Sequence, residues 1–188
     1  SVLQMETPSS SQEEKKTPLH FSCKAHNSEY ITTILSVLQM EKDKQAAVFL
    51  LTKEGIKVTV EKDKILQASA YMKSSIFQEY KLVGGRESDR EFRTDLSVLL
   101  ECLQIFGEGS HIRIQYGGHG ENLDIILESE GIITECAIRT IEGPKPLDFN
   151  FRSSILLNQA SMKSRFLREC FAELDIPGAS HVEVVMTP

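Results

Sequence analysis

No apolar run in the 188 residues approaches the roughly 20 needed to cross a bilayer as a helix, and the N-terminus has no apolar stretch of a secretory kind. The expectation is a soluble protein inside the cell with no membrane contact. Cysteine is sparse: Cys23, Cys102, Cys136 and Cys170 stand far apart, with no CxxC pair and no His nearby at ligand spacing. That argues against a metal site and for reduced thiols. Cations are scattered, so no dense Lys/Arg cluster serves as a nuclear address, and nuclear entry would need a partner or a further segment. A net charge of −6 speaks against a module that holds nucleic acid by charge alone, because phosphate neutralisation supplies most of such affinity. Any DNA contact is therefore local or topological.

What is present is an ordinary globular composition, 40% hydrophobic and 26% charged. Residues 92–107, FRTDLSVLLECLQIFG, read as one helix. Thr94 or Asp95 caps its first turn, Leu96, Leu99, Leu100, Leu103 and Phe106 recur at helical spacing, and Gly107 permits a left-handed stop. Its other face, Ser97, Glu101 and Gln104, has no basic residue, no His and no close carboxylate pair. An earlier helix follows the strand LHFSCKA, with Asn27 or Ser28 as cap, Ile31, Ile34, Leu35 and Leu38 inward, and a hydroxyl-rich face of Thr32, Thr33, Ser36 and Gln39. Residues 45–52 form an apolar strand, Lys53-Glu54-Gly55 reverses it, and Ile56, Val58 and Val60 alternate with Lys57, Thr59 and Glu61 on the return. Strands are further expected at 65–71 and 76–83, then an exposed charged loop GGRESDRE, then HIRIQY, NLDIILES and GIITECAIRT. So many short strands with tight turns predict an antiparallel α+β domain and not a nucleotide-binding βαβ fold.

Residues 1–18 are polar and turn-rich and are expected to be a disordered tail. The hexapeptide SVLQME occurs at 1–6 and again at 36–41, where only the second copy completes an amphipathic helix. Such a single short duplication is no solenoid signature. The chain begins at Ser, so the first copy reads as a cloning or gene-model candidate and Met5 as a candidate start. Residues 19–140 are the first domain. IEGPKPL, 141–147, with two prolines and a glycine, is a connector. From 148 to 188 a second unit opens with LDFNFRSSILL as a strand entering a turn and KSRFLRECFAELD as a helix, with Phe166, Leu167, Cys170, Phe171 and Leu174 inward. About 40 residues are too few to bury a core alone, so the expectation is an incomplete second domain.

Two strand-rich units whose helices are plain outside, joined by an extended connector, resemble the sliding clamps of the proliferating cell nuclear antigen type. GIKVTVEKDKILQASAYMKSSIFQEYK from Gly55, then FRTDLSVLLECLQIFG, LDFNFRSSILL and FLRECFAELD in that order, are similar to the Rad-one subunit branch of the nine-one-one checkpoint clamp, over residues 19–188. The resemblance implies a DNA clamp fold with antiparallel sheets outside and two helices per domain inside, the second domain truncated. It implies a heterotrimeric ring around double-stranded DNA with two other clamp subunits, a clamp loader, and checkpoint and repair proteins as partners, acting in the nucleus. Three departures from the family pattern stand out: a longer loop at 84–91, the tail, and an end at Pro188, where the resemblance implies that one of the two intersubunit edges would come from the rest of the second domain.

A ring that slides needs only weak contacts, so neutral helix faces are adequate. The DNA-facing candidates are Lys24, just before the first helix, and Lys163, Arg165 and Arg168 on the third; the alternative is solvated helix charge. The family's association with 3′ to 5′ exonuclease activity requires the acids to be weighed. Two-metal cleavage needs acidic oxygens converging on ions about 4 Å apart. Asp124, Glu128 and Glu130, at even spacing on one strand face with Glu121 and Glu135 near, are the best cluster, with Mg as cofactor only in that case. A solvated strand face gives the same pattern. Gly117, Gly118 and Gly120 in YGGHGEN read as a hairpin turn rather than a phosphate loop. His111 and His119 are isolated, Cys102 reads as a small core residue, and Ser153 and Ser154 have no partner His. No metal site and no nucleophile are expected, which makes a non-catalytic scaffold the leading reading and a free interaction module another. Ile141 and Leu147 are candidates for a partner-peptide groove beside the connector, with a plain tether as the alternative.

Overall fold

The computed structural model describes residues 19–147 except 42, 85 and 108, and then 155, 158–174, 177–178 and 180–186. The tail expected at 1–18, most of the strand expected after 148, and Ser153 and Ser154 lie outside them. Two compact units divide the chain, residues 1–148 and 149–188.

In the first unit the order is β1 (Phe21–Ala25), α1 (Glu29–Val37), β2 (Ala46–Leu51), β3 (Gly55–Lys62), β4 (Leu66–Lys73), β5 (Glu79–Leu82), β6 (Glu91–Asp95), α2 (Leu96–Leu103), β7 (His111–Tyr116), β8 (Leu123–Ser129) and β9 (Ile132–Ile138). Every pairing is antiparallel. One sheet runs β5-β1-β7-β8-β9 and the other β4-β3-β2-β6. The period-2 pattern turns Phe21, Cys23, Tyr116, Ile125 and Leu127 of the first sheet and Ala47, Phe49, Ile56, Val58 and Val60 of the second into one core. Ile31, Leu35 and Leu38 of α1 and Leu96, Leu99, Leu100 and Leu103 of α2 pack into the same core. An aromatic run joins the sheets: Phe49 stacks on Phe92 at 5.0 Å between centroids, and Phe92 meets Tyr116 at 4.5 Å.

The hairpin from β2 to β3 depends on Gly55. Its φ of 148° is a conformation that L side chains rarely adopt, and a Cβ there would lie 2.9 Å from the Cα of Lys73.

Residues 92–107 are not one helix. Phe92 to Asp95 belong to β6, paired with β2 in the register Phe49 to Phe92, and the helix begins only at Leu96. Asp95 is the cap, its Oδ1 accepting from the amides of Ser97 (2.9 Å) and Val98 (3.5 Å). Gly107, at φ 69°, follows the helix in the left-handed region. Ser97, expected outward, is buried. The strand expected at 76–83 is shorter, because Ser74–Ile76 form a 3-10 turn and β5 starts at Glu79. At 87–90 a second 3-10 turn occupies the charged loop.

In the second unit the described element is α3 (Ser164–Glu173). Its apolar residues share a stripe as the spacing predicts, but they are not inward. Phe166, Leu167, Phe171 and Leu174 are each 44% to 49% exposed and Cys170 is exposed, since no sheet covers this stripe among the described residues.

Candidate functional site

Three surfaces bear the residues singled out by sequence. The first is the helix side of the first unit. On α1, Thr33 and Ser36 are exposed, as is Gln39 just beyond its end, and Thr32 is half-buried. Thr32 Oγ1 donates to the Ser28 carbonyl at 3.0 Å and Ser36 Oγ to that of Thr33 at 2.8 Å. These two hydroxyls are thus spent on their own backbone. Tyr30 and Val37 are more than two-thirds exposed. On α2, Val98 and Glu101 face out, followed by Gln104 and Ile105. Neither helix contains Lys or Arg.

The expected cations lie elsewhere. Lys24 pairs with Arg113 and Glu79 in mid-strand, one residue out of phase with the buried Cys23, so it sits on the sheet face opposite the helices. Its nearness to α1 in sequence hid the strand alternation that turns it away. Arg165 and Arg168, three residues apart, share a side of α3, and Lys163 stands just ahead of the first turn. The Arg165 guanidinium lies 4.7 Å from the Phe166 ring.

The second surface is made by the connector, residues 141–147. It does not hang free. The amide of Ile141 donates to the carbonyl of Arg93 on β6 at 2.9 Å, and the Arg93 guanidinium donates to the carbonyl of Pro144. At the far end Leu147 donates to Glu61 on β3 at 3.4 Å and accepts from Gln67 on β4 at 2.7 Å. The segment therefore crosses the outer face of the sheet from β6 to β4. This explains why Val48 and Thr59, which alternate outward, are 8% and 7% exposed. Beside its first half opens a groove of about 1120 Å³, lined among others by Phe92, Arg93, His119, Arg139 and Ile141. Ile141 thus lines a groove, while Leu147 is at the opposite end of the crossing. Arg93, Glu61 and Gln67 were not singled out by sequence; their outward position on alternating strands was the available signal.

The third surface holds the acids. Asp124 and Glu128 do share the outer face of β8, opposite Gln115 and His111. Four residues of strand separate them, about 13 Å, too far for one metal pair. Glu130 is not on the strand: it occupies the β8 to β9 turn at φ 50°. Burial pushes the Asp124 carboxyl upward, and the charges of Glu121 and Glu135 push it further. Among the described residues no three of His, Cys, Asp and Glu converge as a metal-holding group. Residues 117–120 lie in the connection from β7 to β8, the hairpin reading of YGGHGEN. There Asp89 accepts from the amides of Arg86 (2.9 Å) and His119 (3.4 Å), tying the charged loop to this turn.

Comparison with known proteins places this arrangement. The crystal structure of proliferating cellular nuclear antigen from Entamoeba histolytica is similar at a TM-score of 0.60 and 12% identity, over 82% of this chain and 62% of that one, a likeness of sliding-clamp fold. The Homo sapiens protein named cell cycle checkpoint protein RAD1 is 38% identical over 164 residues, 84% of this chain and 56% of its own length. The Schizosaccharomyces pombe DNA damage checkpoint control protein rad1 is 28% identical over 148 residues, 66% of this chain and 46% of its own. The chain thus spans about half the length of the curated relatives it matches. The family profile described as Repair protein Rad1/Rec1/Rad17 matches residues 20–188, and on that span the chain belongs to the Repair protein Rad1/Rec1/Rad17 family.

Proposed function

We propose that this chain is a subunit of a heterotrimeric, ring-shaped checkpoint clamp that encircles double-stranded DNA at sites of damage. It serves there, in the nucleus, as a non-catalytic scaffold for checkpoint signalling and repair. Two other clamp subunits close the ring and a clamp loader places it. The observation that carries this reading is the helix side of a clamp fold built without a single Lys or Arg on α1 or α2. A face of hydroxyls, Gln and apolar side chains without a cation encloses a duplex without gripping its phosphates. Relatives named for checkpoint control and repair support the same reading.

Ring closure uses sheet edges. β9 is the last strand of its sheet, with no strand beyond it among the described residues, so its outer amides and carbonyls are available for pairing with a neighbouring subunit. On α3, Arg165 and Arg168 supply the basic contribution to the duplex, and the groove at Ile141 receives partner peptides.

Mixing the chain with its two cognate clamp subunits and measuring the mass in solution tests the proposal. A complex holding one copy of each is expected, together with no magnesium-dependent degradation of DNA. Absence of any complex, both for this chain and for a version extended to the length of its relatives, would overturn it. So would degradation that is lost in Asp124→Asn/Glu128→Gln.

A further inference from the structure

Two of the four scattered cysteines meet in the fold. Cys102 lies on α2 at the margin of the buried stripe, next to Leu103. On β9, the exposed neighbours Glu135 and Ala137 alternate with Cys136, which therefore turns to the inner face of the sheet, in register with Ile125 of β8. Both cysteines pack against the same core from its edge, where α2 lies beside β9. Each is half-buried, because β9 is the outermost strand and leaves the junction with α2 open to small molecules. The other two differ: Cys23 is sealed in the core, and Cys170 is exposed on α3.

We propose that Cys102 and Cys136 form a reversible disulfide, closed by hydrogen peroxide or a similar peroxide, that ties α2 to the edge strand β9. The Cys136 sulfur, on the outermost strand, attacks one peroxide oxygen; the O–O bond breaks, hydroxide leaves and takes up the thiol proton as water, and a sulfenic acid remains. The Cys102 sulfur then attacks the Cys136 sulfur, the S–O bond breaks, and a second water leaves with the Cys102 proton. Two thiols are oxidised by two electrons and one peroxide is reduced to two waters. Burial, and then the neighbouring Cys136 and Glu101, push the Cys102 thiol up to about 11, which leaves the first attack to Cys136 and makes closure faster as pH rises. A thiol reductant reopens the bond by exchange. This inference stands apart from the clamp proposal.

The test uses the whole chain, as wild type and in a Cys170→Ser background that removes the exposed thiol. After peroxide treatment, free thiols are alkylated and the protein is digested with trypsin. The expected product is peptide 94–113, which holds Cys102, linked to peptide 114–139, which holds Cys136, and released by dithiothreitol. Hydrogen exchange along β9 is expected to slow about tenfold in the oxidised protein, and not in folded Cys136→Ser. Free alkylation of both cysteines after peroxide, over-oxidation without a link, or a link to Cys23 or between molecules overturns the proposal.

Discussion

The side chain of Gln45 holds the end of α1 while its backbone holds the start of α2: Nε2 donates to the Leu38 carbonyl at 2.8 Å, and the Gln45 carbonyl accepts from the Leu96 amide at 2.7 Å. The same side chain accepts, at Oε1, the amides of Met40 (2.7 Å) and Glu41 (3.0 Å). At 4% exposure this is a buried polar residue with every partner supplied by helix-terminal backbone.

Gln45→Ala leaves one buried and two part-buried backbone groups without partners, and a loss of about 1–2 kcal/mol follows. Urea unfolding checks it, as a lower midpoint with the slope unchanged. A loss under about 0.5 kcal/mol would mean that water replaces the amide at little cost.

Arg93 anchors the connector through its side chain, so Arg93→Ala removes the bond to Pro144 while leaving the backbone bond to Ile141. Amide exchange in residues 142–147 is expected to rise about tenfold with little change in global stability. Unchanged exchange would assign the anchoring to Glu61 and Gln67 instead.

Two carboxylates make opposite contributions with pH. The Arg86 amide, and then that of His119, hold Asp89 below the ordinary carboxyl value of 3.8, against a small desolvation. Its stabilisation is present above that ordinary value and is lost as pH falls through the lower folded one. Asp124, raised by burial and then by Glu121 and Glu135, binds its proton more tightly when folded. Its penalty is absent in acid and complete once pH exceeds the raised value. At pH 7, Asp89→Asn is expected to lower the melting temperature and Asp124→Asn to raise it, with both differences shrinking toward pH 3. Equal shifts at both pH values would sink this account.

Where periodicity was local, the sequence was sufficient. The β2 to β3 hairpin and the α1 stripe are set by neighbours in the chain, whereas the cap stays open between Thr94 and Asp95 until strand pairing claims Thr94. Phe92 misled because it falls four residues before Leu96, in phase with the helix, while its actual partner is Phe49 across the sheet. Only tertiary pairing distinguishes the two. Two prolines and a glycine marked the connector, yet its docking depends on side chains from β3, β4 and β6 that no spacing rule brings together. Cys136 was equally silent, since its relation to Cys102 exists only once α2 lies beside β9.

The cation-free helix pair also sets the shape of an energy landscape. Each Lys or Arg on such a face would add a local minimum at every phosphate it met, and a polyanion moving past would climb from one to the next. With Thr33 and Ser36 outward on α1 and Val98 and Glu101 outward on α2, the potential along the two helices has no cationic minima. In the proposed ring, motion past this face would meet low friction, and what resists departure would be enclosure, whose strength does not depend on salt.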